Sequence, residues 1–195
     1  MEEEKKDDKV MGAARGLFAG EVKRRSVMST RSLCLTAVMA AFICIMTVVP
    51  RIPIPLGYAH LGDAALWLVV LYVGRREGAV AASIGSAFAD FLGGFSIWIV
   101  PTLLIKYSMA EILWRFARPD TKNWRLISGR TFSGLLFSSL WMVFSYTLAG
   151  AVLYDSLEAG LTSTPGLLLE GGVNMMAAYG AGIVLERTGL FRNGY

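Results

Sequence analysis

The sequence predicts an all-α integral membrane protein: a compact bundle of about six transmembrane helices with both termini in the cytoplasm. Of the 195 residues, 54% are hydrophobic, and they gather into long runs separated by charged loops. A bilayer core needs roughly 20 mainly apolar residues per helix. Only helices and closed barrels satisfy the backbone within lipid, and these runs lack the alternation of barrel strands.

Six apolar stretches mark the predicted helices, taken in chain order. They are residues 32–50, 61–74, 78–94, 98–115, 131–154 and 161–185. The second stretch is short for a full span. We therefore predict a six-helix transmembrane domain over residues 30–190. Residues 1–29 are predicted to be a charged cytoplasmic tail, either disordered or a basic helix on the membrane surface.

The charges in the loops predict the orientation. Four basic residues lie within 23–31, Arg75 and Arg76 join the second and third helices, and five basic residues lie within 115–130. Of the alternate loops, the first carries Arg51, the second carries no charge, and the third carries Asp155 and Glu158. Because short basic loops stay in the cytoplasm, the loops after the first, third and fifth helices are predicted to be outside.

The composition argues against several classes of function. Cys34 and Cys44 lie ten residues apart on one helix, and His60 is the single histidine, so neither a disulfide framework nor a metal site is predicted. The chain has no glycine-rich phosphate loop with a lysine, so it cannot hydrolyse ATP by itself. The net charge of +4 is explained by cytoplasmic arginines that contact anionic lipid headgroups or a partner, which leaves no reason to infer nucleic-acid binding. We therefore predict that the protein is not an enzyme and that it has neither catalytic residues nor a cofactor.

Ionisable residues inside apolar stretches are the main functional signal, because a charge at that depth needs a partner or a cavity. Asp90 and Lys106 fall in the outer halves of the third and fourth helices and are predicted to form a buried ion pair. Glu170 and Asn174 are four residues apart and so share a face of the sixth helix. A structural pair and a ligand contact are equally good accounts of Asp90 and Lys106.

Two further polar residues stand where the second helix begins on the outer side. Asp63 lies there, three residues after His60. An acidic residue in the first turn stabilises the start of a helix, and this effect explains Asp63 as well as a ligand contact does. The preceding loop, residues 50–57, is rich in proline and is predicted to be extended and to cover the bundle as a lid.

Aromatic residues near the outer side are candidate ligand walls. Trp98 and Tyr146 fit the headgroup level, where aromatic residues usually act as anchors, whereas Trp141 lies deeper. On the first helix, Ala37 and Ala41 are spaced by four, which lets another helix approach closely. Packing within the same chain is the alternative explanation of these two alanines.

Two runs of the sequence resemble a known family. The run IPIPLGYAHLGDA, residues 52–64, resembles the first loop and second helix of substrate-binding (S) components of energy-coupling factor (ECF) transporters. The run GAVAASIGSAFADFLGGF, residues 78–95, followed by Trp98 and PTLLIK (residues 101–106), is similar to their third and fourth helices. The resemblance is specific over residues 31–109 and is greatest to riboflavin-type members. That subgroup is also linked to uptake of hydroxymethylpyrimidine or pyridoxine.

The resemblance implies a binding subunit in the cell membrane of a prokaryote. Such a protein captures one small water-soluble vitamin from outside and docks on a transmembrane coupling subunit that carries two cytoplasmic ATPase subunits. In that family a small-residue motif on the first helix meets the coupling subunit, which matches Ala37 and Ala41 here. Many members have a tryptophan at the end of this motif, which this chain lacks.

The predicted ligand site combines stacking surfaces with polar groups. Its residues are Trp98, Trp141 and Tyr146 for stacking, and His60, Asp63, Asp90, Lys106, Glu170 and Asn174 for polar contacts. The alternative function is a stand-alone small-molecule facilitator or channel. It would need a polar path to the inner face, but the sixth helix becomes apolar after Asn174.

Overall fold

The computed structural model describes residues 28–49, 51–54 and 57–188. Within these ranges the chain forms six α-helices, a 3-10 turn (Ser96–Trp98) and one small sheet, so the all-helical class is confirmed. The helices are α1 (Thr30–Val48), α2 (Gly62–Tyr72), α3 (Arg75–Leu92), α4 (Ile99–Ala117), α5 (Gly129–Leu153) and α6 (Leu157–Thr188). The predicted tail lies outside the described residues, apart from its last two.

Among the described residues, four segments are long and apolar enough to cross a membrane: α1, the 3-10 turn together with α4 (Ser96–Ala117), α5 and α6. Helix α3 has 18 residues, but its first turn is charged and Asp90 lies near its other end. Helix α2 has 11 residues, which extend about 16 Å, roughly half of a bilayer core. The short second helix therefore agrees with the length expected from the sequence.

The short helix α2 lies in the core of the bundle. Every one of its residues except Leu68 is buried, and α3, α4 and α6 all pack against it. Trp67 is fully buried, and its indole N–H donates a hydrogen bond to Ser138 Oγ on α5 at 2.9 Å. A helix that is apolar on all sides needs protein around it. Because neighbouring helices supply that environment, α2 need not be long enough to span lipid.

Small residues allow two close helix contacts. A Cβ atom on Gly85 of α3 would collide with the carbonyl oxygen of Ala40 on α1. A Cβ atom on Gly160 of α6 would likewise collide with the carbonyl oxygen of Thr147 on α5. Close backbone approach of this kind is how small residues hold membrane helices together. It also identifies Ala40 as an α1 residue that packs on α3.

The proline-rich connection after α1 forms an antiparallel hairpin of β1 (Ile52–Ile54) and β2 (Gly57–Ala59). In its register Ile52 faces Ala59 and Pro53 faces Tyr58. The described parts of this connection are thus extended, as the prolines predicted, and strand β2 lies against α6. The chain passes from β2 through His60 directly into the first turn of α2.

Candidate functional site

A buried ion pair lies at the centre of the site. Lys106 Nζ on α4 donates to Asp63 Oδ1 in the first turn of α2, and the two side chains are 2% and 0% exposed. Lys106 Nζ also lies 5.2 Å from the centroid of the Tyr146 ring on α5. The predicted pairing of Lys106 with Asp90 is therefore wrong. Helix α2 is inserted into the core, so its first turn brings Asp63 to the ammonium group.

Asp90 instead belongs to a hydrogen-bonded chain across three helices. The Tyr146 hydroxyl donates to Thr102 Oγ1 at 3.0 Å, and the Thr102 hydroxyl donates to Asp90 Oδ2 at 2.5 Å. Sequence reasoning missed Thr102. Thr102 precedes Lys106 by four residues, and residues four apart on a helix share a face. This spacing could have placed Thr102 on the same side of α4 as Lys106.

Glu170 and Asn174 join α6 to the start of α2 through His60. Asn174 Nδ2 donates to the carbonyl oxygens of His60 (2.7 Å) and Glu170 (2.9 Å), and Asn174 Oδ1 accepts from the Ala64 amide at 2.8 Å. Glu170 Oε1 accepts from the His60 amide at 3.3 Å and lies 3.2 Å from His60 Nδ1. Both amide hydrogens of Asn174 are thus used within the protein. The arrangement positions the first turn of α2, and with it Asp63.

His60 is neutral at neutral pH. Burial lowers its pKa to about 4, and the positive charge of Lys106 adds to this effect. The Gly62 amide donates to His60 Nδ1 at 3.1 Å, so this nitrogen is an acceptor. The imidazole therefore stabilises the turn into α2 and does not present a positive charge to a ligand.

Two buried polar atoms in this region have no hydrogen-bond partner among the described residues: Asp63 Oδ2 and Trp98 Nε1. Such atoms are rare in folded proteins because leaving them unpaired costs about 1–3 kcal/mol each. Trp98 packs on Tyr146, with ring centroids 5.7 Å apart, and on Tyr154 at 6.2 Å. Tyr146 thus lies close to both Trp98 and Lys106 Nζ. The arrangement combines an open acceptor, an open donor and two aromatic rings.

Trp141 is not brought together with these residues. It is 40% exposed, and its indole N–H donates to Ser108 Oγ at 2.7 Å. Its ring is tilted against Phe144, which is itself 60% exposed. Helix α5 therefore directs Tyr146 towards the ion pair and Trp141 towards the surface of the bundle.

The three alanines of α1 separate into two faces. Ala40 is buried and contacts α3, whereas Ala37 and Ala41 are exposed. Val38 and Ile45 are also exposed, at 60% and 57%, so this outer face is apolar as well as small. Packing inside the described chain thus accounts for Ala40 and leaves Ala37 and Ala41 on the surface.

Comparison with known proteins identifies the family. The family described as "ECF-type riboflavin transporter, S component" matches residues 27–185, which include α1 to α5 and most of α6. A Pyrococcus woesei protein described as "Uncharacterized protein in gap 3'region" is 28% identical over 151 residues. That alignment covers 74% of this chain and 99% of the P. woesei protein. The chain therefore belongs to the ECF-type riboflavin transporter S component family, whose members are membrane-embedded substrate-binding subunits of vitamin transporters and not enzymes.

Proposed function

We propose that this subunit captures a small, flat, water-soluble vitamin or vitamin precursor, such as riboflavin, hydroxymethylpyrimidine or pyridoxine. The proposed site is formed by Asp63, Lys106, Tyr146 and Trp98. The observation that carries the proposal is the pair of buried, unpartnered atoms, Asp63 Oδ2 and Trp98 Nε1. A ligand that bonded both atoms would remove their desolvation cost, which is how a few polar groups orient a molecule in an apolar site.

The charges favour an uncharged ligand. Lys106 already balances the negative charge of Asp63, so the second carboxylate oxygen is suited to an N–H or O–H group of a neutral molecule. The Trp98 indole can donate only, so it requires a ring nitrogen or carbonyl oxygen. The rings of Trp98 and Tyr146 offer aromatic surface beside these groups. A heteroaromatic ring with neighbouring donor and acceptor atoms meets all three requirements.

The remaining polar residues fit a supporting role. Glu170, Asn174 and His60 hold the start of α2 in place, and Asp90 and Thr102 hold the Tyr146 hydroxyl. Their loss would affect a ligand through Asp63 and Tyr146. These residues thus support the site, while Asp63, Tyr146 and Trp98 would contact the ligand directly.

Energy for uptake would come from partner proteins. We propose that the subunit docks on a transmembrane coupling subunit with two cytoplasmic ATPase subunits in a prokaryotic cell membrane. Its own termini would be cytoplasmic and its binding site would open outwards. The exposed small-residue face of α1 supports the docking, because Ala37 and Ala41 are not used for packing inside the described chain. The charge bias of the loops supports the orientation.

A direct test measures binding of riboflavin, hydroxymethylpyrimidine and pyridoxine to the purified full chain in nanodiscs by calorimetry. Mass spectrometry would also identify any ligand that copurifies. Trp98→Phe keeps an aromatic ring but removes the donor, and should weaken binding about 2- to 12-fold. Trp141→Phe is the matched control, because it removes an indole N–H that lies outside the site. Equal losses in the two variants would refute the assigned site.

Dependence on partners is tested in vesicles. The chain alone should bind the vitamin but should not concentrate it, whereas vesicles that also contain the coupling and ATPase subunits should accumulate it when ATP is supplied. Accumulation by the chain alone would contradict the proposal. Equilibration without accumulation would favour a facilitator.

A further inference from the structure

The loop between α4 and α5 encloses a cavity that has no part in the vitamin site. The cavity has a volume of about 240 Å³ and is lined mainly by Thr121, Lys122, Trp124, Arg125, Ser128 and Arg130. We refer to it as the α4–α5 cavity. The two flanking membrane spans end at Ala117 and begin at Gly129, so the cavity lies where the spans meet the headgroup region.

The lining of the α4–α5 cavity is strongly basic. Lys122, Arg125 and Arg130 are exposed, and their side chains form no hydrogen bond or ion pair with the part of the chain that the structure describes. No acidic residue lines the cavity, and nearby Asp120 is not part of it. Three like charges that converge on one small space repel one another. An anion bound between them would relieve this repulsion.

The frame of the cavity is held by the helical core. The Trp124 indole N–H donates to Thr131 Oγ1 at 3.1 Å, and the Thr131 hydroxyl donates to the Arg125 carbonyl oxygen at 3.0 Å. The Trp124 ring meets Tyr72 of α2 edge-on, with centroids 5.6 Å apart. Leu126 is 1% exposed. A loop held at this many points keeps its basic side chains together before a ligand arrives, which lowers the entropic cost of binding.

We propose that the α4–α5 cavity binds the phosphate group of an anionic membrane lipid. A guanidinium group matches the geometry of a phosphate and can donate two parallel hydrogen bonds to it. The volume is below the roughly 300–1,000 Å³ of sites for organic ligands, so it suits a headgroup. The position at the end of two spans places lipid phosphates within reach, and basic pockets at this level are suited to lipid headgroups. Both leaflets contain phosphates, so the site does not depend on the orientation of the chain.

The test counts the phosphatidylglycerol molecules that the purified full chain retains in native mass spectrometry. The test variant is Lys122→Gln/Arg125→Gln, and the matched control is Arg115→Gln, an exposed cation at the end of α4 that does not line the cavity. The wild type and the control should retain one phosphatidylglycerol with equal affinity. The double variant should bind it about tenfold or more weakly, since charge-assisted hydrogen bonds are lost. Circular dichroism should show equal helix content in all three proteins.

Further arms of the experiment separate the sources of the anion. Oleate, an anionic lipid without phosphate, should not occupy the site, and equal retention of oleate and phosphatidylglycerol would overturn the phosphate assignment. Equal loss of lipid in Arg115→Gln and the double variant would show diffuse attraction and would also overturn the proposal. Binding of inorganic phosphate in lipid-free detergent, without retention of phosphatidylglycerol, would overturn the lipid assignment and indicate a soluble phosphate instead.

Discussion

Lys106 on α4 is ion-paired with Asp63 on α2, and both side chains are almost completely buried in the bundle. The pair joins the short central helix to a membrane-spanning one. Each charge is satisfied by the other, so removing either would leave an uncompensated charge in the core. Because Asp63 Oδ2 remains open, the same carboxylate can hold α2 in place and contact a ligand.

Single substitutions in this pair should therefore destabilise the protein. We expect Asp63→Asn and Lys106→Met each to lower the free energy of unfolding by about 3–5 kcal/mol, and the double variant to lose less than the sum. The wild type, the two single variants and the double variant form a double-mutant cycle. Denaturant titration of each ligand-free protein in detergent measures the four free energies of unfolding.

A second cycle with Asp90→Asn in place of Asp63→Asn is the control. Asp90 accepts from Thr102 and is not the ion-pair partner of Lys106, so its coupling energy to Lys106 should be the smaller of the two. A larger coupling to Asp90 than to Asp63 would contradict the Lys106–Asp63 ion pair.

The two faces of α1 should respond differently to enlargement. Ala37→Leu or Ala41→Leu should leave folding and vitamin binding intact but lower ATP-driven uptake, because the bulky side chain blocks close approach of a partner helix. Ala40→Leu is the contrasting variant and should destabilise the isolated chain, since Ala40 is buried against Gly85. Uptake in vesicles and thermal unfolding in detergent measure the two effects. Loss of binding in Ala37→Leu would show that this face packs within the chain.

His60 should make stability depend on pH. The unfolded chain takes up a proton near pH 6.5, whereas burial holds the pKa in the folded protein at about 4. The contribution of His60 to stability is therefore fully present above pH 6.5 and is lost as the pH decreases from 6.5 to 4, with a loss of about 2 kcal/mol by pH 5.

The comparison protein for this measurement is His60→Asn, which retains an acceptor for the Gly62 amide but does not titrate. The neighbouring ionisable residues Asp63, Lys106, Glu170 and Arg51 are present in both proteins, so the difference between the two pH profiles reports on His60. Parallel profiles between pH 7 and 5 would show that His60 is not held in its neutral form.

Asn174 should act on the site through the start of α2. Asn174→Ala removes hydrogen bonds to the His60 carbonyl and the Ala64 amide, and we expect a loss of about 2–4 kcal/mol in unfolding free energy. Vitamin affinity should fall as well, because Asp63 is no longer held in position. Asn123→Ala, at an exposed loop residue, should change the stability by less than about 0.5 kcal/mol. Equal stability of the two variants would contradict the role of Asn174.

The helices and the family could be predicted from the amino-acid sequence. The stretch 61–74 became α2 (Gly62–Tyr72), and 78–94 became most of α3 (Arg75–Leu92). Such agreement is expected because the length and apolarity of a membrane helix are properties of one contiguous stretch of the sequence. The family resemblance of residues 52–64 and 78–95 was also confirmed. It too depends on contiguous residues and not on which helices meet.

Which side chains contact one another could be learned only from the packing of the helices. Lys106 pairs with Asp63 and not with Asp90. Trp141 faces the surface, whereas Tyr146 faces the core. Asn174 donates both of its amide hydrogens to carbonyl oxygens within the protein. Hydropathy does not encode the rotation of one helix about its axis relative to its neighbours, nor the depth at which a short helix enters the bundle. Those two quantities follow from the packing of all the helices at once, and they determine which polar atoms remain available to a ligand.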